Sequence, residues 1–240
     1  NLIGSINYTL ENIGLSNVST NAPLVIQQED PHQLISKMGL SLAYDTRNSA
    51  LEPTHGQRTE LITELAGGPF GMDADFYKWE VRSSWFFPGF VQGHVWELVG
   101  RTGVVEPYGD STTVPLFYKY FLGGVNSLRG FDYRTVGPHD RAPNGDLEPV
   151  GGETYWFASA DYTIPIIERL KFAIFYDIGN VYRDAYDYNF SQYSDDYGVG
   201  VRLNIPRLGP LRLDYGIPIH HPDNAGHGRF QFSVGFTRDY

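Results

Sequence analysis

The chain has 240 residues, a formal net charge of −10 and only 18 lysines plus arginines, which excludes the basic surface of a nucleic-acid binder. It has no cysteine, so disulfides, iron–sulfur clusters, thiol nucleophiles and zinc thiolates are excluded too. No run of about 18 apolar residues exists, and hence no helix that spans a membrane. Aromatic residues nevertheless make up 15%, with 17 tyrosines, more than a water-soluble domain needs. A mean hydropathy of −0.31 is compatible with a transmembrane β-barrel, in which only alternate residues face lipid. The chain opens on Asn1 without an initiator Met, and reads as a processed or excised fragment.

Period-two alternation runs through most of the chain and predicts about ten strands. Ile6, Tyr8 and Leu10 alternate with polar residues, then Met38, Leu40, Leu42 and Tyr44. Thr59 to Leu65 opposes Arg58, Glu60 and Glu64, with Ile62 out of pattern. Tyr77, Trp79, Val81 and Trp85 oppose Lys78, Glu80, Arg82 and Ser84. After a Pro88-Gly89 turn comes a less regular strand over Val95 to Val104. The pattern returns at Trp156 to Ile164, Phe172 to Ile178, Tyr197 to Ile205, Leu211 to Ile217 and Phe230 to Phe236.

The apolar face carries large aromatics near the strand ends, as at the two interfaces of a bilayer. The other face mixes Glu, Arg, Lys, Asp and Gly, which suits a hydrated lumen. Pro88-Gly89, Ile164-Pro165-Ile166-Ile167 and Pro206 to Pro210 read as short turns. Ala22 to His32, Glu106 to Gly152, Arg183 to Asp196 and His220 to Gly228 read as long polar loops. Short turns at one end and long loops at the other mark an outer-membrane barrel. Gly67 to Asp75 fits that alternation less well, so a misread strand pairing is expected nearby. The segment from Glu106 to Gly152 is far longer than an ordinary structureless connection, and so reads as functional.

Within that segment, Leu122-Gly123-Gly124 followed by Ser127-Leu128-Arg129-Gly130-Phe131 resembles the lid-loop motif of the BamA family of outer-membrane barrel assembly factors. That superfamily also contains TamA and the two-partner secretion transporters. Further stretches resemble the family in order. They are Tyr44-Asp45-Thr46-Arg47 through Gly56, Val150-Gly151-Gly152 with Ala158 to Tyr162, and Phe175 to Tyr182. Gly198 to Val201 with Gly209 to Tyr215, and the closing strand Phe230 to Gly235, complete the set.

The resemblance implies an all-β antiparallel transmembrane barrel. About ten strands are present here of a family-typical sixteen. Residues 1–240 would be the C-terminal part of the barrel, with the lid loop at about 106–152 and the periplasmic POTRA domains absent from this chain. Residues Phe230, Phe232, Val234, Gly235 and Phe236 would form the strand at the family's seam. The sequence end, Phe236 to Tyr240, departs from the aromatic terminus usual in the family.

A guanidinium enclosed by a barrel needs carboxylates, and its planar fork suits bidentate pairing. Asp161 and Asp177 lie on the polar face of the two strands that follow the loop, so both are available to Arg129. In the family the matching arginine pairs with acidic residues at these two positions. The resemblance therefore implies Arg129 with Asp161 and Asp177. Gly123, Gly124 and Gly130 would let the loop approach the wall, and Phe131 would fill space beside the arginine.

Other constellations are weaker. His220-His221-Pro222-Asp223 lacks a further metal ligand, because adjacent histidines diverge. Ser127 with His139-Asp140 lacks a nucleophile elbow. Gly145-Asp146 and the acidic stretch Asp184 to Asp196 lack the ordered ligand spacing of a calcium loop, and the latter reads as a solvated outer loop. No enzyme activity, metal or cofactor is expected.

The resemblance implies a factor in the bacterial outer membrane that inserts and folds client β-barrels. Its partners would be the lipid bilayer, unfolded clients and, through the periplasmic domains, accessory assembly lipoproteins. A polypeptide secretion channel of the same superfamily is the alternative, followed by a passive porin.

Overall fold

The structure, a computed structural model, describes residues 1–205, 209–220 and 227–234. Its elements are β1 (Leu2–Ile13), a short α1 (Leu24–Gln27), β2 (Gln33–Asp45), β3 (Gly56–Ala66), β4 (Phe76–Pro88) and β5 (Val95–Pro107). They continue with β6 (His139–Arg141), β7 (Leu147–Pro149), β8 (Thr154–Ile167), β9 (Leu170–Tyr182), β10 (Ser194–Ile205), β11 (Gly209–His220) and β12 (Arg229–Val234). Ten strands form one antiparallel sheet in the order β1-β2-β3-β4-β5-β8-β9-β10-β11-β12. No pairing joins β1 to β12 among the described residues. Among those residues, no helix is long and apolar enough to cross a membrane.

The sheet curls into a trough. Glu52, in the β2–β3 turn, reaches across it to Lys171 Nζ at 2.8 Å and Asn204 Nδ2 at 2.9 Å. The register places the two faces as the alternation predicts. Trp79 and Trp156 stand on the outer face, while Lys78, Glu80, Asp161 and Asp177 stand inside. Leu40, Leu61, Leu98, Val199, Leu213 and Phe232 remain exposed on the outside. In water such a surface would be a liability. Against acyl chains it is the stable arrangement, because the sheet pairs its own backbone groups.

Several expectations change. Gly67 to Asp75 lies at the same end as the other long loops, so no pairing is misread there. Tyr108 O–H donates to Ala66 O at 2.8 Å, and Gly68 N–H donates to Asp75 Oδ1 at 2.6 Å. The turn expected at Ile164 to Ile167 is strand, because β8 continues to Ile167 and the reversal needs only Glu168 and Arg169. β5 runs to Pro107, beyond Val104. Ile62 sits on the inner face, opposite Glu80 and Ser41.

Residues 108–153 are not structureless. They hold a 3₁₀ turn at Leu116–Tyr118 and the small β6–β7 hairpin. Nearly half of the hydrophobic core comes from this segment, packed inside the trough. Val114, Tyr118, Tyr120, Leu122, Leu128, Phe131 and Val136 meet Ile35, Phe76, Val99, Val105, Tyr155, Phe157 and Val181 from the wall.

Candidate functional site

The tip of the inward loop is a hairpin closed at Leu122 and Val136, which pair with each other. Gly123 has φ +108°, and a Cβ there would meet Asp132 O at 2.2 Å, so the turn admits only glycine. Gly123 N–H donates to Ser127 Oγ at 2.9 Å, and Gly124 N–H is shared by Leu128 O at 3.0 Å and Phe131 O at 3.1 Å. Leu128 and Phe131 point into the core. These contacts force the intervening Arg129 the other way, toward the wall.

Arg129 is 0% exposed. Its Nε donates to Asp177 Oδ2 at 2.6 Å and its Nη2 to Asp177 Oδ1 at 2.7 Å. The same guanidinium takes Asp161 by Nη2 to Oδ1 at 2.6 Å and Nη1 to Oδ2 at 3.0 Å. Two carboxylates from neighbouring strands thus occupy two edges of one planar fork. Burial alone would push the Arg129 proton affinity down. The charges of Asp161 and Asp177 outweigh it and hold the pKa well above the ordinary value.

The structure brings in residues that the alternation placed on the inner face without assigning them to the arginine, and some it did not single out at all. Ser159 Oγ donates to Asp177 Oδ1 at 2.6 Å and receives Arg129 Nη2 at 3.2 Å. The Phe175 ring lies under the guanidinium, 3.4 Å from Cζ to centroid. Asp214 on β11 approaches Nη1 at 3.5 Å, while also holding Arg202 at 2.5 Å and Arg212 at 2.6 Å. Gln231 Nε2 on β12 donates to Phe131 O at 3.0 Å and Arg129 O at 3.3 Å, and Arg229 pairs with Asp132 at 2.9 Å. Gly216 is what lets the tip lie this close, since a Cβ there would meet Gly130 N at 2.5 Å. The readable signals were the inward charges Arg202, Arg212 and Asp214 and the inward glycine 216. Which of them reaches the loop depends on the curl of the sheet.

The chain matches the model of the Omp85 superfamily domain over residues 1–237. It belongs to the Omp85 superfamily. It is 31% identical over 235 residues to "Outer membrane protein assembly factor BamA" of Nitratidesulfovibrio vulgaris, spanning 95% of this chain and 29% of that one. It is 24% identical over 222 residues to "Sorting and assembly machinery component 50 homolog" of Homo sapiens, spanning 84% and 45%. The crystal structure of BamA from Haemophilus ducreyi lacking POTRA domains 1–3 superposes with a TM-score of 0.77 over 96% of this chain and 50% of that one, at 19% identity. The chain therefore spans half or less of the relatives it matches. Its fold is the all-β outer-membrane barrel type of BamA, with ten of the strands among the described residues, and its place is the bacterial outer membrane. These relatives are named as assembly factors and machinery components.

The remaining sequence candidates lie apart from this site. Phe230, Phe232 and Val234 stand on the outer face of β12, and Phe230 packs on Tyr215 at 4.7 Å between ring centroids. Gly235 and Phe236 lie outside the described residues, as do His221, Pro222 and Asp223. His220 pairs with Asp195 at 2.8 Å, and no group of metal-ligating residues forms among the described residues. Asp140 is taken by Arg183 at 2.6 Å and Ser127 by the Gly123 turn, so they make no triad. The Asp184 to Asp196 stretch is only in part the solvated loop expected: residues 183–193 are largely exposed but lie along the outer wall, whereas β10 already begins at Ser194, and Asp195 and Asp196 are buried.

Proposed function

We propose that this chain is the barrel part of an outer-membrane assembly factor that helps client β-barrels fold and insert. The observation that carries the reading is the double tether of the loop tip. Arg129 holds it to β8 and β9, and Gln231 and Arg229 hold it to β12, the last described strand. A sheet with an available edge templates an incoming strand by backbone pairing. A tip fastened beside that strand would keep its inner face ordered while its edge is used. The likeness to relatives named as assembly factors supports the same reading.

In this proposal the protein catalyses no bond change, and the driving free energy is the folding of the client. Arg129, with Asp161 and Asp177, serves as the anchor of the lid. The bilayer and unfolded outer-membrane proteins are its partners, with accessory lipoproteins recruited through periplasmic POTRA domains. The test is insertion of a client barrel into liposomes by the complete protein. The wild type should accelerate it and the Arg129→Ala variant should not. An unchanged rate in a variant shown to have lost lid protection would sink the proposed role of the anchor. No acceleration by the wild type would sink the assembly reading itself.

A further inference from the structure

The β9–β10 connection does something its sequence does not announce. Residues 183–193 fold back over the outside of the wall and cross β8, β5 and β4. Phe190 packs at a tilt against Trp156 of β8, 5.4 Å between ring centroids. Tyr188 shares a hydrogen bond with Thr102 of β5 at 2.8 Å. Tyr186 meets Tyr77 of β4 at 3.1 Å and accepts from Trp79 Nε1 at 3.3 Å. Behind them Thr154 Oγ1 donates to Asp184 O, Asn180 Nδ2 to Gln192 O, and Tyr182 O–H to both Asn189 O and Gln192 O, all at 2.7–2.9 Å. Val104 and Thr154 lie on the outward face, yet both are 0% exposed, because this strap covers them.

The Tyr186 and Tyr188 hydroxyls and the carbonyls of Asp184, Asn189 and Gln192 thus turn to the wall, while the Tyr186 and Phe190 rings turn outward beside the exposed Asp184 and Asp187. Phe190 is 61% exposed and Tyr186 is half exposed. An exposed loop in water gains little from that arrangement. At a membrane interface it matches what the medium rewards: apolar ring surface outward and hydroxyls satisfied by the protein. The level also fits. Tyr77, beside the strap, and Phe87, in the aromatic row at the opposite end, lie ten residues apart on one strand face. At about 3.3 Å per residue and a tilt near 40°, that is a height of about 25 Å, the thickness of the apolar band of such barrels.

We propose that residues 183–193 form a lipid-binding strap seated at the headgroup level of the outer leaflet, with Tyr186, Tyr188 and Phe190 as its membrane contacts. Arg183, at its root, pairs with Asp140 of the β6–β7 hairpin, so the strap is also fastened to the inward segment. The proposal rests on the outer-membrane placement of the barrel and is independent of what the barrel assembles.

The chain contains no cysteine, so nitroxide labels can be placed singly in a cysteine-free form of the complete protein. Phe190→Cys and, as the control, Tyr133→Cys on the 73% exposed side chain of the loop tip would be labelled in phospholipid bilayers. Collision rates with oxygen and with a water-soluble nickel chelate would then be compared. At 190, oxygen access should exceed that of the chelate several-fold, at a depth of the headgroup–acyl boundary, whereas 133 should favour the chelate. Equal chelate access at both positions would overturn the proposal. Exclusion of both reagents at 190 would also overturn it, because protein and not lipid would then cover the strap. Client insertion by the same labelled proteins reports separately on the assembly reading.

Discussion

The Arg129 guanidinium meets the Asp177 carboxylate edge to edge, Nε to Oδ2 at 2.6 Å and Nη2 to Oδ1 at 2.7 Å, although the two residues lie 48 positions apart. Neither side chain has any exposed surface. Removing one partner of such a pair leaves a buried charge without compensation, at a cost of about 3–5 kcal/mol. Arg129→Ala should therefore release the tip, seen as faster amide hydrogen exchange over residues 123–135 with β2 to β4 unchanged. Arg129→Lys should recover only part of the protection, because an ammonium cannot present two edges to two carboxylates.

Asp161 and Asp177 both grip Arg129, and Ser159 bridges to them. Their effects should be non-additive. In a double-mutant cycle, Asp177→Asn combined with Arg129→Ala should cost less than the sum of the two changes, by about 1–3 kcal/mol. Additivity would mean that the pair contributes no coupling to tip docking.

Gly216 tests the packing of the tip without touching a charge. A Cβ at this position would stand 2.5 Å from Gly130 N and 2.7 Å from Arg129 C, both backbone atoms that cannot rotate away. Gly216→Ala should cost about 1–3 kcal/mol of tip docking and raise exchange at 128–131, with the pairing of β11 to β10 preserved.

Two carboxylates in the connections should respond to pH with opposite sign. The Lys171 hydrogen bond holds the Glu52 pKa below its ordinary value. The stabilisation of the 46–55 turn is therefore full above the ordinary value of about 4.3 and is lost as pH falls through the lowered one. Burial raises the Glu29 pKa instead, against a weaker opposing effect of the Leu116 N–H. Its contribution is full below about pH 4.3 and is lost as pH rises through the raised value. Relative to the intrinsic amide rate at each pH, exchange at 46–55 should thus speed up on acidification while exchange at 114–118 slows down. Glu52→Gln and Glu29→Gln should each abolish the corresponding step.

The tether to β12 can be cut separately. Gln231→Ala removes donors to Arg129 O and Phe131 O. It should loosen the tip by about 1 kcal/mol, a typical net hydrogen-bond contribution, and leave the Arg129 ion pairs in place. Exchange should rise at 130–132 and less at 123–125.

The sequence by itself determined the strands, their two faces and the direction of most side chains. Alternation is local: once Asp161 stands inside, the two-residue period places Ser159 and Thr163 inside as well. The glycines and the Ser127 and Arg129 pattern likewise marked the loop as something other than a linker. Tertiary structure alone decided what crosses the trough. Asp214 reaches Arg129 from 85 residues away, and Gln231 reaches its carbonyl, because the sheet curls enough to bring β11 and β12 under the tip. It also decided that Tyr186 and Tyr188 press their hydroxyls to the outer wall, within an acidic, tyrosine-rich stretch that read alone looks like a solvated loop. The period of a strand says which way a side chain points, and only the curvature of the whole sheet says what it meets.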